Sequence, residues 1–133
     1  MARSLIQTVN QSNQTVAANS IISLGSTQRR FGCNCRLSGN AIEIEGAGYY
    51  TIDVNVSVTP TAAGAVTVAL FENGVQIPSA IAITTGGAGT PISVDINTTV
   101  REGCNCDGAS SITAVLIAGA GVVNNISVRV EKL

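Results

Sequence analysis

The stretch Gly48-Tyr49-Tyr50-Thr51-Ile52-Asp53-Val54-Asn55-Val56-Ser57-Val58-Thr59 decides how this chain folds. Between residues 50 and 58 every second residue is apolar, and every residue between those is polar. This period of two is typical of a β-strand with one buried face and one solvated face. A second apolar run, residues 66–72, ends at Asn73-Gly74, a pair that tolerates positive φ and therefore predicts a tight hairpin turn.

The same pattern continues on both sides of this central hairpin. Alternating runs occur at residues 41–45, 91–100 and 126–131, and short apolar runs at residues 5–9, 81–84 and 112–118. Glycine- and asparagine-containing turns separate them, and no stretch has a convincing helical period. We therefore predict an all-β protein, a sandwich or barrel of eight to ten short antiparallel strands.

The composition points to a subunit of an assembly. With 133 residues the chain has the size of one domain. Apolar residues make up 45% of it but charged residues only 11%, where ordinary domains have about 25%. The core must be built from aliphatic side chains, since only 3% of residues are aromatic. We expect part of the surface to be buried against other subunits, so that the chain is not a soluble monomer.

Charge and hydropathy argue against two classes of partner. The net charge is −1, and the only basic cluster is Arg29, Arg30 and Arg36, so we expect no nucleic-acid binding. No apolar stretch reaches the roughly 18 residues that a membrane span requires, so we expect no membrane partner. The first eight residues turn polar at once and do not resemble a signal peptide, which indicates synthesis in a cytoplasm.

We expect no catalytic residues and no cofactor. The chain contains no histidine, which excludes every Cys-His or Ser-His arrangement. Glu43 and Glu45 share one strand face, an arrangement typical of a solvated surface rather than of an acid–base pair. The run Gly86-Gly87-Ala88-Gly89 lacks the Lys-Ser/Thr of a phosphate-binding loop.

The four cysteines form the one cluster with possible chemistry. Cys33 and Cys35, and likewise Cys104 and Cys106, each stand in a Gly-Cys-Asn-Cys sequence. In an extended segment, residues two positions apart point to the same side, so four sulfurs could converge if the segments were neighbours. Three alternatives remain open from the sequence: two disulfides, a four-cysteine zinc site, and free buried thiols.

The central hairpin also carries a family resemblance. Gly48-Tyr49-Tyr50-Thr51-Ile52, then Asn55-Val56-Ser57-Val58, then a strand ending in Leu70-Phe71-Glu72-Asn73-Gly74 resembles the tumour-necrosis-factor-like (TNF-like) jelly rolls, which include the complement head and the exosporium-tip domains of bacilli. The resemblance covers residues 40–133 and is closest to small virion proteins of phages and prophages of Firmicutes, although this chain lacks the aromatic core residues of eukaryotic members. It implies a jelly-roll β-sandwich, a homotrimer around a three-fold axis, and binding of proteins or glycans without catalysis.

Residues 1–30 are more polar and less regularly patterned than the rest. We predict that they form an N-terminal arm, or first strands, preceding a jelly-roll domain of residues 31–133. In one interpretation residues 1–14 dock the protein to a particle or to neighbouring subunits. In the other, residues 5–9 are an integral strand paired with residues 126–130.

Two functions follow from the resemblance. The first is a structural protein of a phage virion, a trimeric capsid-decoration, head-fibre or tail-associated protein that contacts other virion proteins. The second is a head module that binds a receptor or glycan at a host surface through the loops at residues 85–90 or 119–121. The absence of tryptophan, and the position of Tyr49 and Phe71 in strands rather than loops, favour the structural role.

Overall fold

The protein is a sandwich of two antiparallel β-sheets. The structure, a computed structural model, describes residues 4–103 and 110–133. Its strands are β1 (Leu5–Asn10), β2 (Gln14–Val16), β3 (Ser20–Ile21), β4 (Ser26–Phe31), β5 (Cys35–Ser38), β6 (Ala41–Ile44), β7 (Gly48–Pro60), β8 (Gly64–Glu72), β9 (Val75–Gly86), β10 (Ile92–Glu102), β11 (Ser110–Ala118) and β12 (Gly121–Lys132). No helix long and apolar enough to cross a membrane occurs in these two ranges.

The all-β prediction is confirmed, but the described residues form twelve strands rather than eight to ten. The additional strands are short and polar. β2 and β3 contain three and two residues, and all six residues of β4 are exposed. Such segments owe their conformation to a neighbouring strand rather than to an apolar pattern of their own, which is why period two did not reveal them.

Each sheet has six strands. Sheet A has the order β10-β7-β12-β1-β4, with β2 also paired to β12. Sheet B has the order β5-β6-β11-β8-β9, with β3 also paired to β11. Neighbouring strands are often far apart in sequence, since β12 lies between β7 and β1. The long alternating strand β7 therefore lies inside sheet A and pairs with β10 and β12 over almost its whole length.

The core lies between the sheets and is aliphatic apart from Tyr50 and Cys35. On β7 the alternation predicted from the sequence is observed, with Tyr50, Ile52, Val54, Val56 and Val58 all at most 3% exposed. The Tyr50 hydroxyl donates hydrogen bonds to the carbonyl oxygens at positions 45 and 46, at 3.2 and 2.9 Å. The single buried phenol is thereby satisfied, and full burial of each large aliphatic side chain contributes about 1.5–3 kcal/mol.

The predicted hairpin turn between β8 and β9 is also present. Asn73 has φ 51° and Gly74 has φ 82°, both in the left-handed region that a two-residue turn of this kind requires. Asn73 also accepts a hydrogen bond at its side-chain oxygen from the backbone amide of Ser111, at 2.9 Å. The turn is therefore fixed to the start of β11 as well as by its own geometry.

The first strand belongs to the core of sheet A. β1 lies between β12 and β4, with Leu5 opposite Glu131 and Val9 opposite Ser127. Ile6 is completely buried. The interpretation of residues 1–14 as a docking arm is therefore wrong for β1, and the alternative of an integral strand paired with the C-terminal strand is what the structure shows. The segment appeared irregular because its inward-facing residues include Thr8, which is polar but fully buried.

We predict that Ile6→Ala destabilises the fold by about 2–5 kcal/mol, because it removes a fully buried side chain between the sheets. Gln7→Ala, the neighbouring change on the opposite face of the same strand, should stay within about 0.5 kcal/mol. Urea denaturation followed by circular dichroism measures both. Equal stability of the two variants would show that β1 is peripheral to the core.

Candidate interaction surfaces

The outer surface of sheet A is polar and slightly concave. We define the polar face as the outward-pointing residues at its centre. A depression of about 450 Å³ lies there, lined mainly by Gln7, Asp53, Asn55, Asp95, Asn97, Ser127 and Arg129. The strand register brings them together, since Asn55 lies opposite both Asp95 and Ser127, and Arg129 lies between Gln7 and Asp53. These are the residues that alternate with the core residues of β7, β10 and β12.

Side chains on the polar face pair with one another. The Asn55 amide donates to Asp95 Oδ1 at 2.6 Å, and the Arg129 guanidinium lies 3.6 Å from Asp53 and 3.3 Å from Glu131. The charged partners are 38–47% exposed, so each ion pair contributes at most about 1 kcal/mol to stability. The face is therefore ordered but remains accessible to a partner.

Two side chains of opposite charge, Arg29 and Asp95, lie on the two edge strands of the polar face, and Arg101 shares the edge strand of Asp95. Arg29 lies on β4, the edge strand beside β1, and its register partner is Gln7. Asp95 lies on β10, the opposite edge strand. Of the basic cluster noted in the sequence, the structure places Arg29 and Arg30 on an exposed edge strand. Arg36 lies elsewhere, on β5, where it pairs with Glu43 at 2.6 Å and Glu45 at 3.2 Å.

Sheet B exposes apolar side chains instead. Ile81 lies opposite Ala69, Ala69 opposite Val115, and Val115 opposite Ile21, so a row of aliphatic side chains crosses four strands. Two of these side chains, Ile81 and Ile21, are 41% and 51% exposed. Ile83, the next outward residue on β9, is 66% exposed. We refer to these five residues as the apolar row.

The two loops proposed for ligand contact lie together at one end of the sandwich. The amide of Gly89 donates to the carbonyl of Pro60 at 2.9 Å, and the amide of Thr61 donates to the carbonyl of Ala120 at 3.0 Å. A side chain at Gly121 would lie 2.5 Å from the carbonyl oxygen at position 59, so the close approach of the chains requires glycine there. These loops, residues 85–90 and 119–121, carry no aromatic side chain.

The exposed aromatic side chains lie at the opposite end of the protein. Tyr49 and Phe31 are 55% and 63% exposed, and both belong to strands of sheet A. Phe71 is only partly exposed on β8. Neither loop predicted to contact a ligand therefore has the stacking surface that sugar binding uses.

The structure separates the side chains of the first cysteine pair. Cys33 is exposed and Cys35 is buried, because residues 32–34 form a bend in which Gly32 has φ 79°, and the chain is not extended there. Cys104 and Cys106 lie outside the described residues, so the predicted four-cysteine cluster stays a prediction. Among the residues that are described, no three cysteine, aspartate or glutamate side chains are grouped as metal ligands.

A pair of inward-facing acidic side chains, which the sequence did not indicate, lies at the end of the sandwich that contains Cys35. We call this the cysteine end. Glu102, the last residue of β10, is only 5% exposed, and its Oε1 accepts a hydrogen bond from the Ser110 hydroxyl at 2.6 Å. Glu72, the last residue of β8, lies opposite the buried Ile112 and so also faces inward. In the sequence the apolar alternation of β10 is interrupted by the polar Thr98, and only the observed burial continues it to Glu102.

The neighbouring Glu102 changes the protonation of Glu72. Glu72 has its pKa raised to about 7, first because it shares a hydrogen bond with Glu102, then because of partial burial, and then because of the Glu102 charge. Two carboxylates in contact cannot both be ionised without a large electrostatic cost. The pair therefore binds one proton well above the pH at which a solvated glutamate would lose it.

Comparison with known proteins supports the architecture. The chain matches no protein-family model and no curated protein. Among solved structures it is similar to murine APRIL at pH 5.0, with TM-score 0.76, 12% identity and coverage of 98% of this chain and 99% of that one. It is also similar to the globular domain of zebrafish complement 1qA, with TM-score 0.71, 7% identity and coverage of 97% and 95%. For the PRD1 vertex protein P5 the values are 0.70, 12%, 100% and 99%.

These matches confirm the fold class that the sequence resemblance implied. The chain is an all-β sandwich with the TNF-like jelly-roll fold, and the similarity extends over its whole length, including β1. At these low identities the likeness concerns the fold alone.

We predict that the two cysteines of the first pair differ in reactivity. In reduced protein Cys33 should be alkylated quickly, because it is exposed, whereas burial raises the pKa of the Cys35 thiol to about 11 and withholds the reactive thiolate. Timed iodoacetamide labelling with peptide mapping measures both rates, and labelling in urea serves as the control. Equal rates in the native protein would contradict the burial of Cys35.

We also predict a pH dependence of stability that arises from the acidic pair. Because folding raises the pKa of Glu72 from its ordinary value of 4.5 to about 7, the folded state binds the proton more tightly, so its stabilising contribution is full at low pH and is lost as pH rises from 4.5 to 7. Glu72→Gln should reduce this fall, whereas Glu131→Gln, an exposed control, should preserve it. Thermal melts in EDTA between pH 4.5 and 8 test the difference, and identical slopes for wild type and Glu72→Gln would refute it.

Proposed function

We propose that this protein is a non-enzymatic structural component of a bacteriophage particle, which assembles as a homotrimer and serves as a capsid-decoration, head-fibre or tail-associated protein. Its location is then the virion, and its partners are its own copies and other virion proteins. The observation that carries the proposal is the form of the exposed surface. Its distinctive features are broad sheet faces, namely the polar face and the apolar row, which suit contact with other proteins.

The polar face differs from an ordinary small-molecule site. Such sites are concave and mostly apolar, with a few convergent polar groups. The depression on the polar face is lined instead by paired amide, carboxylate and guanidinium groups. Paired polar side chains on a wide sheet resemble the rim of a protein–protein contact, where hydrogen bonds determine specificity.

The charge distribution favours a closed ring of subunits. Arg29 and Asp95 lie on opposite edge strands of sheet A, so a head-to-tail contact brings Arg29 of one copy towards Asp95 of the next. Repeated contacts of this kind close into a ring when the rotation between copies is right. The low charged fraction of 11% and the exposed apolar row are further reasons to expect buried subunit surface.

The comparison with the PRD1 vertex protein P5 supports the virion part of the proposal. That protein has a similar fold over 99% of its chain, and its name describes it as a vertex protein. The sequence resemblance to small phage proteins points the same way. The absence of histidine from the chain removes the commonest general base and is consistent with a protein that does no chemistry.

The alternative of a receptor- or glycan-binding head is less well supported. The loops that it requires, at residues 85–90 and 119–121, carry only small side chains, and they bond through their backbone to residues 60 and 61, respectively. We therefore expect no binding on a glycan array, and attachment to host cells that is not blocked by the purified protein. Blocked attachment would reverse the order of the two functions.

We predict a mass of three times 13.5 kDa by light scattering at micromolar concentration. Arg29→Glu and Asp95→Arg should each weaken the trimer, because each places like charges across the subunit contact. The double variant should recover the trimer, because every contact then has the opposite pair restored. Arg36→Glu, a similar charge reversal on sheet B, serves as the control and should remain trimeric.

Two results would contradict this assembly. A monomer mass for the wild-type protein would overturn the homotrimer. A trimer that withstands both single reversals would show that the charged edges of sheet A do not meet, and variants in the apolar row, such as Ile83→Asp, would then locate the contact.

We predict that the protein is a stoichiometric component of purified particles. Quantitative mass spectrometry of density-purified virions should find it at a constant ratio to the major capsid protein, in multiples of three copies. Genes for capsid, portal or tail proteins beside its own gene would agree with this result. Its absence from purified particles would overturn the virion assignment even if the trimer exists.

A further inference from the structure

We propose that Glu72, Glu102 and Ser110 form a binding site for a hard divalent cation, Ca²⁺ or Mg²⁺, between the two sheets at the cysteine end of the sandwich. The proposal does not depend on the virion role. It rests on the position, burial and hydrogen bonding of these three described residues.

The three residues come from different strands and converge on one point. Glu102 ends β10 in sheet A, whereas Glu72 ends β8 in sheet B. Ser110 begins β11, where it faces the interior opposite Ile44. The contact between Glu72 and Glu102 therefore joins the two layers of the sandwich within an interface that is mostly apolar.

The hydrogen bonding of Glu102 is incomplete. Its Oε1 accepts from the Ser110 hydroxyl, but its Oε2 is fully buried and has no hydrogen-bond partner among the described residues. The neighbouring carboxylate of Glu72 cannot supply a donor when it is ionised, because a carboxylate only accepts. A buried, unpaired carboxylate oxygen carries a large desolvation cost, which a cation bound between the two groups would offset.

The ligand atoms indicate which species fits. Carboxylate and hydroxyl oxygens are hard ligands that suit Ca²⁺ and Mg²⁺ rather than thiolate-preferring metals. Mg²⁺ is commonly held by one or two carboxylates with several waters, and Ca²⁺ accepts a similar set in a looser geometry. Glu72 is only partly buried, so water can reach the site from its side and complete the coordination. A divalent cation neutralises both carboxylates, whereas a proton neutralises one.

Occupation of this site would fasten the sheets together at one end. A ligand that binds only the folded state stabilises it by mass action.

The test is thermal unfolding at pH 8 in EDTA, in 10 mM CaCl₂ and in 10 mM MgCl₂, with KCl at matched ionic strength as the control for screening. Wild-type protein should gain on the order of 5 °C in Tm with at least one of the two cations and much less with KCl. Isothermal titration of the metal-free protein with the same cation should show one site per chain.

Matched variants separate this site from the general surface charge. Glu102→Gln and Glu72→Gln should each abolish the gain, and each should raise the Tm in EDTA because the like-charge contact is removed. Glu131→Gln, an exposed carboxylate in a surface ion pair, should keep the full gain. If Glu102→Gln does not fold, Glu72→Gln alone decides, since its side chain is partly exposed.

The proposal fails if neither cation raises the Tm of the wild-type protein beyond KCl. It also fails if both glutamine variants keep the gain. In those cases the pair is neutralised by a shared proton, and acidification alone should stabilise the protein.

Discussion

The backbone pairing of β7 with β12 is the interaction on which the rest of the structure depends. It runs from Gly121 opposite Pro60 to Lys132 opposite Tyr50, and it joins the middle of the chain to its end. Once it is formed, β10 extends the sheet on one side and β1 on the other. The alternation of β7 then determines both surfaces of sheet A, because its inward residues build the core and its outward residues build the polar face. The core and the candidate subunit contact are thus encoded by alternate residues of one strand.

The sequence predicted those parts of the fold in which apolar periodicity is strong. The buried side of β7 followed from it, whereas the Asn73-Gly74 turn followed from its residue types and the TNF-like class from the family resemblance; each is observed. It failed where tertiary pairing overrides local pattern. β1 was assigned in part to a docking arm, although Ile6 is completely buried, because Thr8 interrupts its apolar face. The short strands β2 and β3 exist only through their pairing with β12 and β11.

The candidate surfaces were less predictable than the fold. The acidic pair joins residues 30 positions apart, and only the packing of one sheet on the other brings the ends of β8 and β10 together. Likewise, a subunit contact between Arg29 and Asp95 cannot be inferred until β4 and β10 are known to be the two edges of one sheet. For Cys33 and Cys35, the assumption of an extended chain was wrong, since a left-handed glycine precedes the bend. Long-range strand order is the information that local patterns lack.

The edges of the two sheets also determine how readily copies of this chain aggregate. An unprotected edge strand is a template for further strands and hence for fibrils. Each edge strand here has a feature that opposes further pairing. In sheet A, β4 carries Arg29 and Arg30, and β10 carries Asp95 and Arg101. In sheet B, β5 has only four residues and carries Arg36, and β9 contains Pro78. Arg30 lies opposite the inward-facing Ile6, and its guanidinium donates to the carbonyl of Cys35 at 2.8 Å, so a charge occupies the interior side of that edge. A chain that is 89% uncharged is therefore protected from strand addition at high local concentration, because an incoming strand would have to desolvate the charged side chains at the sheet edges.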